Sequence, residues 1–520
     1  MTKSNSRIVI QAKSALARIT LTHHTLAFFL LSVIHCLAQG LTAAFLYSED
    51  ASSSAFINTV ISTAKVPPNE VARLFRNGDD LTLKMCTAAP VGDVYKSCET
   101  LWSTDMGASN SSLAGRFLSE QPGSVLTRRG PQDSSIQAVA DPITGNVSSI
   151  LLIFDNGNQQ EALSTSCVRT LEYPARILDN SRREDLALVG SQFWLLAIST
   201  FGILYNSIPH IWAIVFARFL QTAWAAYTLW RTTDVQFRYN TLVTGPTTFC
   251  HFDVLPQYFI TRIALQIPEL ILNFTAWAST SWLAWRIVKG YKNSTIRRVL
   301  PPPGVMRLYR FFLIGSMFHQ LSFFFTVTAV SLWIDQLRTS SLAYLAEKAP
   351  LYYALFVFTI VTIVPWIICG WYAVRREKKL LMGISVFLNV AYVVCWSTMF
   401  DAPVYQWTFI EWPFFACMLM VATFCLIGAG VFAVISWVNF GKGLAHYLHV
   451  EAVLTESDFD PDVFANDSEK GPDSGNPMTR SPSSLSQLSL DGAVIKKDSN
   501  WDFADIDRPA IYTVDLATRK

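Results

Sequence analysis

The sequence predicts an all-α polytopic membrane protein: an N-terminal signal-anchor helix, a small β-rich exoplasmic domain, a seven-helix transmembrane bundle and a disordered cytosolic tail. Three observations lead there. Hydrophobic residues make up 51% of the 520 and charged residues only 15%, against about 25% charged in an average globular chain. The apolar residues fall in discrete blocks, each near the roughly 20 residues that cross a bilayer core of about 30 Å. The cations gather in alternate segments between those blocks, as in the turn RREKK (375–379).

The blocks lie near 25–46, 187–205, 208–230, 258–286, 308–334, 350–374, 380–400 and 412–438. Each is dense in Leu, Ile, Val, Phe and Trp, as a helix must be when lipid offers its backbone no hydrogen bonds. The second and third are separated only by Asn206-Ser207-Ile208-Pro209, which predicts a tight helical hairpin. Domain boundaries follow: a basic cytosolic N-terminus over 1–24, the anchor helix over 25–47, an exoplasmic β-rich domain over 48–186, the bundle over 187–440 and the tail over 441–520.

Orientation comes from the Lys and Arg that flank the blocks. Lys3, Arg7, Lys13 and Arg18 precede the first block, and Arg286, Lys289, Lys292, Arg297, Arg298, Arg307 and Arg310 surround the loop after the fourth. RREKK follows the sixth and Lys442 the eighth, while the opposite loops hold little beyond Arg231, Arg238, Arg338 and Lys348. Both termini are therefore expected in the cytosol. LAFFLLSVIHCLAQG (26–40) also fits the apolar core of a signal peptide, with small residues at Ala38 and Gly40 for cleavage. The long basic lead and the apolar run onward to Ser48 favour a retained anchor.

Within 48–186, the stretch 134–158 (SSIQAVADPITGNVSSILLIFDNGN) reads as a β-hairpin, two β-rich runs about a Pro/Gly/Asn turn. Asn110-Ser-Ser and Asn146-Val-Ser are glycosylation sequons on the expected outer side. Five of the nine cysteines fall in apolar blocks, leaving Cys86, Cys98, Cys167 and Cys250, all exoplasmic, where oxidation is allowed. Four cysteines permit three pairings. Cys86–Cys98 as a local loop is favoured, with Cys167–Cys250 tying the domain to the loop after the third block. One disulfide with two free thiols is the alternative.

Charges inside apolar blocks cost roughly 2.5–3.5 kcal/mol each on insertion scales, which makes them functional candidates. Arg218 and Glu269 stand near the middle of consecutive antiparallel blocks and are expected to form an intramembrane polar pair, either as a clamp between two helices or as part of a pathway. His319 is the one histidine deep in the seven-helix block, too few for a membrane zinc centre. No metal, cofactor or catalytic residue is expected, since no zinc-protease, phosphate-loop or nucleophile-elbow motif occurs. The net charge of +2 gives no footprint for nucleic acid. Asn439-Phe-Gly-Lys-Gly reads as a helix stop with a snorkelling lysine. Beyond it the tail turns to Asp, Glu, Ser, Pro and Gly, a composition that cannot fold alone, and offers Ser481 and Ser483 for phosphorylation.

At LWIDQL (332–337), the RREKK turn and VNFGKGLAHYL (438–448), the chain resembles a group of fungal multi-span membrane proteins of unassigned function. That resemblance implies a shared membrane fold over the seven-helix block and supplies no mechanism. In layout alone the chain is similar to Wntless-type cargo receptors, an analogy that assigns no residue. The expectation is a non-enzymatic, receptor-like membrane protein of the plasma membrane or secretory pathway. Its partners would be the lipid bilayer, an exoplasmic ligand or cargo, and cytosolic proteins at the tail. The alternative is a secondary transporter or channel with its polar site at Arg218 and Glu269.

Overall fold

In the computed structural model, the described residues run from 19 to 456, apart from 21, 68–69, 79, 92–97, 105–134, 141–146, 155–158, 246–247, 299–301 and 347. Asn110, Asn146, Ser481 and Ser483 lie outside them.

The first helix, α1 (His23–Thr63), is 41 residues long, about twice what a bilayer core requires. A capping box starts it: the Thr22 hydroxyl accepts from the Thr25 amide at 3.1 Å, and the Thr22 amide donates to Thr25 Oγ1 at 3.2 Å. Its buried residues recur at steps of three or four, through Ser32, His35, Gln39, Ala43, Leu46, Asp50, Ser53, Ile57 and Val60, the spacing of a coiled-coil seam. Its outward face changes character part-way. Leu30, Ile34, Leu37, Leu41 and Phe45 are exposed, and beyond them Ala55, Asn58 and Thr59 take the outer positions. The apolar stripe stops where the sequence predicts, near residue 46, but the helix continues.

Two three-stranded antiparallel sheets follow. β1 (Val71–Asn77), β2 (Asp80–Cys86) and β3 (Cys98–Ser103) form one, with Gly78 at φ 65° supplying the left-handed turn between β1 and β2. Cys86 and Cys98 face each other across β2 and β3 and are disulfide-bonded. β4 (Ser135–Ala140), β5 (Val147–Phe154) and β6 (Gln159–Ser164) form the other, and β4 pairs with β5 antiparallel, as expected for the hairpin. The short helix α2 (Thr165–Thr170), capped by Ser164, leads into α3 (Glu172–Leu204). The segment 48–186 is thus less β-rich than predicted: its first sixteen residues belong to α1 and its end to α2 and α3. Burial explains the extension. On α3, Leu178, Ser181, Asp185, Leu188, Gln192 and Leu195 form a seam matching that of α1, and the two helices pack along one another.

Asn206, at φ 49°, makes the tight joint from α3 to α4 (Ile208–Tyr239). A π-turn over Asn240–Thr244 and the Cys167–Cys250 disulfide precede α5 (Tyr258–Arg298). The chain continues through α6 (Pro303–Thr339), α7 (Ala349–Arg376), α8 (Lys379–Met399), α9 (Pro403–Glu411), α10 (Pro413–Val438) and α11 (Leu444–Glu456). Among the described residues, six stretches are long and apolar enough to cross a membrane: His23–Thr63, Thr165–Leu204, Pro303–Thr339, Ala349–Arg376, Lys379–Met399 and Pro413–Val438. Eight were expected. α4 and α5, at 32 and 41 residues, are long enough, but their packed faces carry Arg218 and Gln221 on α4 and Arg262, Gln266, Glu269 and Asn273 on α5, which lower their apolarity.

The helices fall into two groups. α1 packs on α3 and α5, and α4 on α3 and α5; α6 packs on α10 and α7, and α8 on α7 and α10. The contacts of α4 and α3 with α6 join them. The end of the bundle away from the sheets is closed by α11, whose Leu444, Tyr447 and Leu448 bury against Ala373, Met382 and Ala433. This corrects the tail boundary at 441, since amphipathic residues 444–448 find a surface to bury against. Glu377, in the RREKK turn at φ 49°, accepts from the Gly441 and Ala445 amides at 3.1 and 3.3 Å. Gly441 and Gly443 take positive φ, and Lys442 Nζ donates to Asn439 Oδ1 at 2.8 Å, so NFGKG is a helix stop.

Candidate functional site

Arg218 and Glu269 are both buried, as expected of charges on packed faces, but they do not pair. Glu269 Oε1 accepts from Gln39 Nε2 of α1 at 3.1 Å. Arg218 turns instead toward His35 and Cys36 of α1, and its Nε and Nη1 have no hydrogen-bond partner. Each residue meets α1 instead of the other, Glu269 at Gln39 and Arg218 near His35. The expected pair is therefore two separate polar contacts with α1.

The strong ion pairs lie elsewhere, in a layer between the sheets and the apolar helices. Arg262 of α5 bonds Asp50 of α1, with Asp185 of α3 at 3.8 Å. Tyr258, one turn before Arg262, donates to Asp50 Oδ1 at 3.0 Å. All four side chains are buried. Beside them Glu184 accepts from both Nη atoms of Arg231 at 2.9 and 2.5 Å and from Trp412 Nε1 at 2.8 Å. That is the bidentate geometry in which a guanidinium binds a carboxylate most strongly. Arg183 reaches the other way, to Asp335 at 2.7 Å and Gln336 at 2.6 Å on α6. Three consecutive residues, Arg183, Glu184 and Asp185, therefore engage three other helices.

A looser contact sits above this layer. Glu411 of α9 stands between Arg73 of β1 and Arg176 of α3, each at 3.4 Å, longer than the roughly 2.7–2.9 Å of a strong charge-assisted bond. Both guanidiniums lie over the buried ring of Trp407, at 4.8 and 5.1 Å from its centroid. Next to this latch is a cavity of about 280 Å³ lined by Tyr173, Arg176, Glu184, Asp234, Arg238 and Glu411, with Leu74 of β1 at its edge. Arg76 of β1 reaches Asp234 of α4 at 3.4 Å. At the end of α4, Tyr239 donates to Asp253 at 3.0 Å and accepts from the Val254 and Leu255 amides. Burial and the neighbouring Asp253 carboxylate push its hydroxyl well above the usual tyrosine range, so it stays a donor.

Cys167–Cys250 closes the same junction, joining α2 to the loop before α5. Of the predicted site residues, the four cysteines thus pair as favoured, and two of them help fix the sheets to the helices. His319 lies elsewhere, stacked on Trp366 at 4.6 Å, with Nδ1 bonded to the Gly315 carbonyl at 3.0 Å.

Asp50, Glu184, Asp185 and Arg262 were not expected as site residues. A signal existed for α5: Tyr258, Arg262, Gln266, Glu269 and Asn273 are spaced by four, four, three and four, a polar stripe on one face of an apolar helix. The arrangement holds charges in fixed pairs beside one weakly held carboxylate and a polar cavity. It can bind a small ionised solute or register a displacement of β1. Compared with protein-family models, curated proteins and solved structures, the chain matches none.

Proposed function

We propose that this is a receptor-like integral membrane protein in which the sheet-bearing region recognises a partner and the charged layer passes the event to the helices. The observation that carries the reading is the latch of Arg73, Glu411 and Arg176 over Trp407. It is a long ionic contact from sheet to bundle, less exposed than the Arg76–Asp234 pair of the same length, and it lies beside the tight Arg231–Glu184 pair. In this reading all eight blocks cross the membrane, α4 and α5 included. The outward apolar residues of α5 from Ile260 to Trp282 support that, covering about 33 Å at 1.5 Å per residue. The sheets face the exoplasm, where Asn110 and Asn146 carry sugars, and the cationic ends of α5, α6 and α7 face the cytosol.

The test replaces residues 71–164 by a short Gly/Ser bridge. The variant should insert with its helices protease-resistant, yet lose the cellular response or cargo delivery that is lost when the protein is removed. A variant that keeps that response overturns the reading.

The alternative, a transporter or channel, draws on Arg218, buried with two nitrogens unpaired. It expects solute flux to survive the exchange of 71–164 and to fall in Glu269→Gln.

A further inference from the structure

Between α3 and α6 lies a crevice of about 700 Å³, within the roughly 300–1,000 Å³ typical of small-molecule sites. Its walls have a simple plan. On α3, Arg183, Ala187, Gly190 and Trp194 follow at steps of four, three and four; on α6, Phe324, Thr328, Ser331 and Asp335 do the same in the antiparallel direction. The large residues meet at both ends. Arg183 bonds Asp335 at 2.7 Å, and Trp194 stacks on Phe324 with centroids 4.3 Å apart. The small residues between them leave the hollow.

The two closures are eleven residues apart, about 16 Å along a helix, which is close to half of a bilayer core of about 30 Å. The ionic end is level with the charged layer, and the aromatic end lies within the apolar part of both helices. Leu186 and Phe323 add apolar wall. At the ionic mouth Arg183 and Asp335 neutralise each other, and Arg183 is further held by Asn180 and Thr339. Arg182 is different. Its side chain is 33% exposed, and its nearest carboxylate, Asp179 at 4.0 Å, already accepts a bond from Ser54. The mouth therefore presents a partly exposed guanidinium, held among the described residues by one long ion pair, above an apolar slot of single-leaflet depth.

We propose that this crevice holds one acyl chain of a membrane phospholipid, with the lipid phosphate on Arg182. The proposal stands apart from the receptor reading. A guanidinium matches phosphate oxygens in charge and in bidentate geometry, and a slot with apolar walls and one polar end matches a single amphiphile.

The test uses the full chain purified in detergent, with phosphatidylglycerol as the added probe and native mass spectrometry counting retained lipid. Gly190→Phe puts a ring into the slot from a position where an added Cβ meets nothing within 4 Å. Arg182→Glu reverses the mouth from a partly exposed position. The unaltered chain should retain one phospholipid, Gly190→Phe should lose it, and Arg182→Glu should bind it about tenfold more weakly, as loss of one charge-assisted contact implies. Glycerol phosphate, which has the head but no chain, should not displace it. If both variants retain lipid like the parent, or if glycerol phosphate displaces it, the proposal fails. If Gly190→Phe does not fold, Arg182→Glu alone decides.

Discussion

The group formed by α1, α3, α4 and α5 and the group formed by α6, α7, α8 and α10 solve the same packing problem with different materials. The first buries Asp50, Arg183, Glu184, Asp185, Arg218, Arg262 and Glu269. In the second, no Asp, Glu, Lys or Arg is buried among the described residues. It relies on rings and close backbone approach: Trp366 donates to the Ser385 carbonyl at 3.0 Å and meets Tyr392 edge-on, while Asn389 donates to the Leu426 carbonyl at 3.0 Å. The difference follows what each group touches. The sheets rest on the first through α1 and α3, so its helices continue into a polar setting where charges can be paired and kept. Lipid offers no such setting, and the second group uses small residues and weakly polar side chains.

The contrast breaks most sharply at Arg262. Arg262→Met leaves Asp50 and Asp185 buried beside each other without their cation, a loss of about 3–5 kcal/mol for an orphaned buried charge. Thermal unfolding in detergent should show a large drop, and Asp50→Asn added to Arg262→Met should recover part of it. Full stability in the single variant would mean the charged layer is not what holds the first group together.

A smaller effect is expected in the second group, where sterics replace charge. A Cβ at Gly428 would stand 2.9 Å from the Phe318 ring. Gly428→Leu should cost about 1–3 kcal/mol by overpacking, with no dependence on salt. A salt-sensitive loss would place hidden charge in this group and erase the distinction.

The smallest effect sharpens the picture at the edge of the charged layer. Arg76, 48% exposed, pairs with Asp234 at 3.4 Å, and Arg76→Ala should change stability by less than about 1 kcal/mol. An unfolding temperature well below the parent's would show that the layer's rim carries load that exposure argues against.

The sequence makes the two groups unequally legible. The second is readable because an apolar block has one solution in lipid, and its helix limits fall within a few residues of the expected blocks. The β4–β5 hairpin, the Asn206 joint and both disulfides are readable from simple signals: turn residues, a short connection and four cysteines that fall outside the apolar blocks. The first group hides its organisation. Asp50, Glu184 and Asp185 sit just outside the apolar blocks, where a charge looks like ordinary loop solvation. Only the seam spacing on α1 and α3 reveals that the helices continue and turn those carboxylates inward. Arg218 and Glu269 are both buried, but their partners depend on where α1 packs against the bundle, and no local pattern encodes that.

The unbroken length of α1 and α3 has a mechanical consequence. A rod some 60 Å long at 1.5 Å per residue has no place to absorb a twist applied at the sheets. A rotation of α1 there would move Gln39 off Glu269 and His35 past Arg218 in the same stroke. The deep polar contacts would then work as gauges on a shaft, reading far along the bundle the torque delivered at the sheets.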